Sequence, residues 1–164
     1  MPDPTAQTAA TYDQVAAQYV ASKQGGFPGL DELLDRFRAA LPVNALVADI
    51  GCGSGMESQL LRGRGLRVIG LDRSAGMLRQ GQPGWLVQAD MRALPLADQC
   101  LDGIWCQAAL LHLPRADVPA ALAEFARVTR PGGVLHLVVA EGDSEGWEVA
   151  QMYGTDRSRW FTYH

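Results

Sequence analysis

Between residues 45 and 140, short apolar runs alternate with stretches of helical spacing, and this alternation constrains the fold more than any other feature of the chain. The runs are "ALVADI" (45–50), "RVIGLD" (67–72), "WLVQAD" (85–90), "DGIWCQAA" (102–109) and "VLHLVVA" (134–140). Helical patterns fall between them: Met56 to Arg62, "SAGMLRQ" (74–80) behind a serine cap, and a stretch from Asp117 to about Val128 with Pro119 in its first turn. Strands alternating with helices need right-handed crossovers, which give a parallel sheet covered on both faces. The consecutive apolar residues of "VLHLVVA" and "ALVADI" suit strands buried on both sides. "MRALPLADQC" reads as a loop and "RPGG" (130–133) as a turn. The expected fold is therefore α/β, a doubly wound parallel sheet.

The flanks are less regular. Residues 1–10, with two prolines and small polar side chains, are expected to be a flexible N-terminus ahead of a single domain over 11–164. Helical spacing begins at Tyr12 and runs to Val20, and a glycine-rich loop covers 22–29. Leu30, Leu33, Leu34, Phe37 and Leu41 then form one apolar stripe that Pro42 closes. The tail holds "EGDSEG", a helical turn expected near "WEVAQMYG", and an extended "RWFTYH". A net charge of -4 gives no electrostatic footprint for nucleic acid or an anionic membrane. No apolar run approaches the ~20 residues of a bilayer span, and "MPDPTAQTAATYDQ" lacks the regions of a signal peptide. Cys52, Cys100 and Cys106 have no metal-type spacing, so free thiols, a cytoplasmic location and no metal are expected.

In an open parallel sheet, ligands bind beyond the carboxyl ends of the strands. The polar signals fall there. The first strand runs through Asp49 into "GCGSG", which places Gly51, Gly53 and Gly55 on alternate positions; the second ends at Asp72 and the third at Asp90. Asp72 lies 21 residues after Gly51, close to the ~20 expected of an acid that accepts from ribose hydroxyls. A dinucleotide loop, however, needs a small residue where Met56 stands, and Asp49 would repel a pyrophosphate. An acid there suits a cationic ligand without phosphate. S-adenosylmethionine has an ammonium, a sulfonium, a ribose for Asp72 and an adenine amine for Asp90.

The sequence resembles the small class I S-adenosylmethionine-dependent methyltransferases, in particular their type 11 group. "VADIGCGSG" resembles the first motif of that family, "VIGLDRSAGML" the second, "VQADMRALPLADQCLDGIWC" the third and fourth, and "RVTRPGGVLHLVV" the fifth-strand region. "TYDQVAAQY" is similar to the helix that precedes the core and folds over the cofactor. The resemblance implies a Rossmann-like sheet in the order 3-2-1-4-5. It also implies cofactor contacts. Gly51, Gly53 and Gly55, with Cys52 and Ser54 between them, would bring backbone to the methionine and ribose portions. Asp49 would lie at the ammonium, Asp72 at the ribose, Arg73 and Met77 beside the adenine, and Asp90 and Met91 against it. Gln107 and Ala108 would line the methionine part, and Tyr19 would close over the site.

The implied reaction is in-line methyl transfer, in which the protein aligns the reactants and excludes water. A small-molecule acceptor is expected. His112 is the candidate general base, with capping or packing of the next helix as the competing reading, and His136 is expected in the core. The chain stops where relatives continue into a further helix and antiparallel strands, so those strands are expected to be missing from the sheet. The fifth strand would then be an edge. Three readings follow: a truncated chain, a tail that covers the edge, or a homo-oligomer paired through it. Two other functions stay open here, a cofactor-binding module without turnover and a nicotinamide-dependent oxidoreductase.

Overall fold

A computed structural model describes residues 3–23, 25–82, 84–153 and 155–164. Five parallel strands make the main sheet in the order β3-β2-β1-β4-β5. They are β1 (Leu46–Ile50), β2 (Arg67–Asp72), β3 (Leu86–Gln88), β4 (Leu101–Gln107) and β5 (Thr129–Val138). The expected doubly wound order is the observed one. β1 lies at the centre, with Ala48 beside both Ile69 and Ile104. The expected turn over 130–133 is instead absorbed into β5 as an irregularity, where pairing moves from Leu101↔Thr129 to Gly103↔Val134.

Alternation along the strands builds two cores. Ala48, Ile50, Ile104 and Cys106 face Leu110, Ala121, Phe125 and Val128. Helix α5 (Val118–Val128) covers that side. On the other side Val47, Val68 and Trp105 meet Leu30, Leu34, Phe37 and Leu61. Those last four come from α2 (Leu30–Ala39) and α3 (Met56–Gly63). Helices on both faces explain the buried run of β1; "VLHLVVA", expected to be buried on both sides, is instead half-buried with Leu135 exposed, because β5 is the edge of the sheet.

The N-terminus departs from expectation. Helix α1 spans Pro4–Ser22, so the stretch expected to be flexible is helical from its fourth residue. Asp3 caps it by accepting from the Thr5 amide at 2.9 Å, and Pro4 occupies the first turn, where its missing N–H costs nothing. Thr5, Thr8 and Thr11 are buried along one face. The short α4 (Ala75–Leu78) is capped by the Ser74 hydroxyl as expected.

The tail also corrects the sequence reading. Glu145–Val149 and Ser158–Thr162 form an antiparallel pair, β6 and β7, so the first part of "WEVAQMYG" is strand, while the expected helical turn is present at Gln151–Tyr153. The pair is a sheet of its own, joined to the end of β5 through an Ala140↔Tyr163 bridge. It folds over the carboxyl ends of the strands rather than along the β5 edge. Trp160 donates its amide to Thr8 Oγ1 at 2.8 Å, and Thr11 Oγ1 donates to the Ser158 carbonyl at 2.8 Å. β5 keeps β4 as its one strand partner, with Leu135 47% exposed.

Candidate functional site

A cavity of about 530 Å³ opens at the carboxyl ends of the strands, under α1. Every residue expected at the site lines it except Gly55, which instead begins α3 in the left-handed conformation (φ 78°).

The glycines of the loop answer to protein neighbours. All three have positive φ. A Cβ on Gly51 would stand 2.1 Å from the Ala109 Cβ, and one on Gly55 would stand 2.9 Å from the Trp85 ring. Chain direction and close approach both require glycine there. The Gly51 and Cys52 amides donate to the Leu71 carbonyl at 2.7 and 3.1 Å, which ties the loop to the end of β2. Cys52 is half-buried, and burial pushes its thiol far above the usual range, so it offers no thiolate nucleophile.

Three acids face the cavity from this side. Asp49 is 2% exposed and accepts from the Ser58 hydroxyl at 2.5 Å. Burial outweighs that bond and raises its carboxyl to about 7. Asp72 accepts from the Gly53 amide at 2.8 Å and the Ser74 amide at 2.7 Å, leaving lone pairs on both oxygens. Burial raises its pKa as well. Glu57, on the first turn of α3, accepts from the Trp105 indole at 2.5 Å and is likewise raised by burial.

Asp90 has other partners than the sequence implied. Arg92 forks onto it at 2.7 to 3.2 Å, and Arg73 donates at 2.8 Å. Burial opposes its ionisation, but these guanidinium groups hold its carboxyl low. Both arginines also pair with Asp3 at 2.9 Å, and Arg92 reaches Asp117 at 2.7 Å. Asp90 and Arg73 therefore fasten the start of α1 to the strand ends. Both Asp90 oxygens are engaged, so its carboxylate is not free for an adenine amine. Met77 and Met91 form apolar wall on this side.

At the other end, His112 is held at both ring nitrogens. It lies 2.9 Å from the Tyr12 hydroxyl through Nε2 and 2.8 Å from the Trp160 carbonyl through Nδ1. The carbonyl can only accept, so Nδ1 carries the proton and Nε2 accepts from Tyr12. Burial lowers its pKa to about 4. Arg159 in turn donates to the Tyr12 oxygen at 2.9 Å. His136 stacks on Trp105 at 3.6 Å and donates to the Gln107 side chain at 2.7 Å, so its role is structural. Ala108 lines the cavity in the left-handed region (φ 51°), a conformation that residues other than glycine seldom adopt. Tyr19 meets Tyr12 edge to face at 5.4 Å.

Sequence reading missed Tyr12, Lys23 and Glu57, which also line the cavity, and Arg159 behind them. Glu57 sits two residues past the glycine loop, on the first turn of a helix that the pattern did give. Arg159 carries no local signal, because β7 reaches α1 from 147 residues away. Among the described residues, no group of three or more His, Cys, Asp or Glu could hold a metal, and no helix is long and apolar enough to cross a membrane. Cys52, Cys100 and Cys106 are free thiols.

A parallel sheet of this order, with an acid-lined glycine loop at the end of its central strand, defines a nucleoside-binding α/β domain. Residues 48–137 match the methyltransferase domain family, and the chain belongs to it. A malonyl-[acyl-carrier protein] O-methyltransferase of Pectobacterium atrosepticum is 35% identical over 141 residues, covering 79% of this chain and 54% of that protein. A mouse tRNA (carboxymethyluridine(34)-5-O)-methyltransferase is 31% identical over 153 residues, covering 91% of this chain and 21% of that protein. A solved Methanosarcina mazei protein described as a SAM-dependent methyltransferase superposes with a TM-score of 0.60 at 26% identity, covering 65% of this chain and 57% of that one. The chain spans 35% to 54% of the length of the first curated relatives it matches. The cofactor that this family implies is S-adenosylmethionine. The cavity suits it, with buried acids at the glycine loop for a cationic ligand and free lone pairs on Asp72 for ribose hydroxyls.

Proposed function

We propose that the chain is the cofactor-binding domain of an S-adenosylmethionine-dependent methyltransferase that acts on a small-molecule or acyl acceptor. The observation that carries this reading is the cluster of Asp49, Glu57 and Asp72 around the glycine loop, beneath a cavity roofed by α1. Such a cluster favours a cationic ligand over a phosphate. The names of the malonyl-[acyl-carrier protein] relatives support an acyl acceptor. The nicotinamide alternative loses ground, because Met56 stands where a dinucleotide loop needs a small residue.

Asp72 would hold the ribose and Asp49 would balance the ammonium, with Met77 and Met91 against the base and Gln107 and Ala108 along the methionine portion. When bound, the cofactor supplies an activated methyl group on a sulfonium. The residues of the chain then align the acceptor and keep water out. Tyr19, Tyr12 and the first turns of α1 form the roof that would keep water from the reacting atoms. His112 gives its Nε2 lone pair to Tyr12, so it holds that tyrosine in place and does not act as a base. With His112 engaged at both nitrogens, the reading suits an acceptor that reacts without losing a proton to it.

Calorimetric titration with S-adenosylmethionine, S-adenosylhomocysteine and NAD tests the cofactor. Micromolar binding of the adenosyl compounds is expected; binding of NAD in their place would refute the reading. Turnover is then assayed over acyl thioesters and free acids. An absence of methylated product despite cofactor binding would favour a binding module.

A further inference from the structure

We infer, resting on the methyltransferase reading above, that the acceptor carries a carboxylate and that Arg159 on β7 is the residue that reads its charge. Arg159 is 8% exposed. Of its five N–H donors, one has a partner among the described residues, the neutral hydroxyl of Tyr12. Its Nε is buried with no partner. No ion pair among the described residues includes it. The guanidinium instead lies against the rings of Tyr12, Tyr153 and Phe161, at 5.4, 5.3 and 5.0 Å.

A buried charge is normally paired, because the desolvation it suffers is large and aromatic rings return only part of it. Here no charged partner stands among the described residues. The position suggests where one comes from. Tyr12 lines the cavity, so the Arg159 charge lies one hydrogen bond behind its wall. Lys23, the single lysine of the sequence, lines the same cavity beside Tyr19, 5.8 Å from that ring. The acids Asp49, Glu57 and Asp72 all stand on the glycine-loop side. The cavity is thus bipolar. Its acidic end would receive the cationic cofactor, and its Arg159 end would receive an anion. The two poles sort the two ligands, since each repels the other's occupant.

A carboxylate matches this end better than a phosphate ester. One buried guanidinium balances one negative charge, acting here across the Tyr12 hydroxyl that separates it from the cavity. A phosphate dianion would need a second buried cation, and Lys23 is exposed.

The test uses the chain saturated with S-adenosylhomocysteine, so that nothing turns over. Malonate is the carboxylate probe, malonamide its neutral counterpart and inorganic phosphate the competing anion. Calorimetry gives affinities, and the Arg159 Nε–H resonance reports a negative charge arriving beside Tyr12. Malonate is expected to bind and to move that resonance downfield, with malonamide and phosphate at least tenfold weaker. Arg159→Met keeps the apolar contacts and should lose malonate at least tenfold while holding S-adenosylhomocysteine unchanged; Arg159→Lys should recover part of the loss. Equal binding of malonate and malonamide, a preference for phosphate, or an unmoved Nε–H signal would each overturn the assignment, and these readings need only the unaltered chain. A chain that ignores S-adenosylhomocysteine would instead overturn the methyltransferase reading, and malonate binding is then read on the free protein.

Discussion

Asp13 and Gly76 meet backbone to backbone. The Gly76 amide donates to the Asp13 carboxylate at 2.6 Å, and a Cβ on Gly76 would stand 2.5 Å from the Asp13 Cα. The Ser74 hydroxyl donates to the same carboxylate oxygen at 2.6 Å. This contact fixes the middle of α1 onto α4, and with it the roof over the cavity. Gly76→Ala puts a methyl group into rigid backbone, so α1 must lift. A loss of about 1–3 kcal/mol in stability is expected, in the range of overpacked sites. Amide exchange over residues 4–22 should quicken well before that of β1 and β4. Unchanged protection of α1 would show that the roof does not depend on this seat.

Asp72 joins the glycine loop to the cavity. Its carboxylate takes the Gly53 and Ser74 amides, one on each oxygen. Asp72→Ala removes both acceptors and the proposed ribose ligand together. Affinity for S-adenosylhomocysteine is expected to fall by about 1–3 kcal/mol, roughly 5- to 150-fold. Stability should fall by a similar amount, because two buried amides lose their partner. A dissociation constant that stays level in a folded variant would remove Asp72 from the ribose role.

The strand ends were legible because their signals are local. Asp49, the glycine loop and Asp72 sit within one strand–turn–helix and the strand after it, and the apolar runs mark those strands. The role of Asp90 was not legible, because its partner Arg73 lies 17 residues away in sequence, and Asp3, which Arg73 and Arg92 also hold, 87 residues away. The start of α1 was misread for a different reason. Its buried face is threonine, and Thr5, Thr8 and Thr11 imitate a polar loop until Trp160 and Ser158 supply hydrogen-bond partners for Thr8 and Thr11. The local cue was Asp3-Pro4, a cap followed by a proline suited to a first turn. The hairpin of β6 and β7 was hidden likewise, since its anchors are on α1 and around His112 rather than in its own pattern.

Asp49 gives the chain a pH dependence of stability with a definite sign. Burial raises its pKa from 3.8 to about 7 in the folded protein. Between these values the folded state keeps a proton that the unfolded chain has released. Its contribution is therefore full below about pH 4, declines as pH rises toward 7, and is level above that. Asp49→Asn removes the decline, which amounts to ~4 kcal/mol over the window. Urea unfolding at pH 5 and pH 8, compared between the two proteins, measures the part above pH 5, about 3 kcal/mol. Glu57 and Asp72 carry the same sign and stay in both proteins, so the difference isolates Asp49. Equal slopes would mean that Asp49 is ionised in the fold at neutral pH. A cationic cofactor should also expel the Asp49 proton near pH 6, seen as a binding enthalpy that varies with buffer ionisation heat.

His112 allows the clearest separation of a structural from a chemical role. Both ring nitrogens are engaged, by the Tyr12 hydroxyl and the Trp160 carbonyl, and burial lowers the pKa from 6.5 to about 4. Here the unfolded chain binds the proton first. Stability from this residue is full above about pH 6.5 and is lost as pH falls toward 4. The ring resonances of His112 should accordingly stay fixed from pH 5.5 to 8. His112→Ala breaks the connection between α1, β7 and the turn after β4, and should cost about 2–4 kcal/mol of stability. A general base would behave differently, titrating near neutrality and, when removed, lowering turnover 100-fold or more without loss of stability. A His112 signal that titrates near pH 6.5, with an alanine variant as stable as the parent, would return this residue to the chemistry.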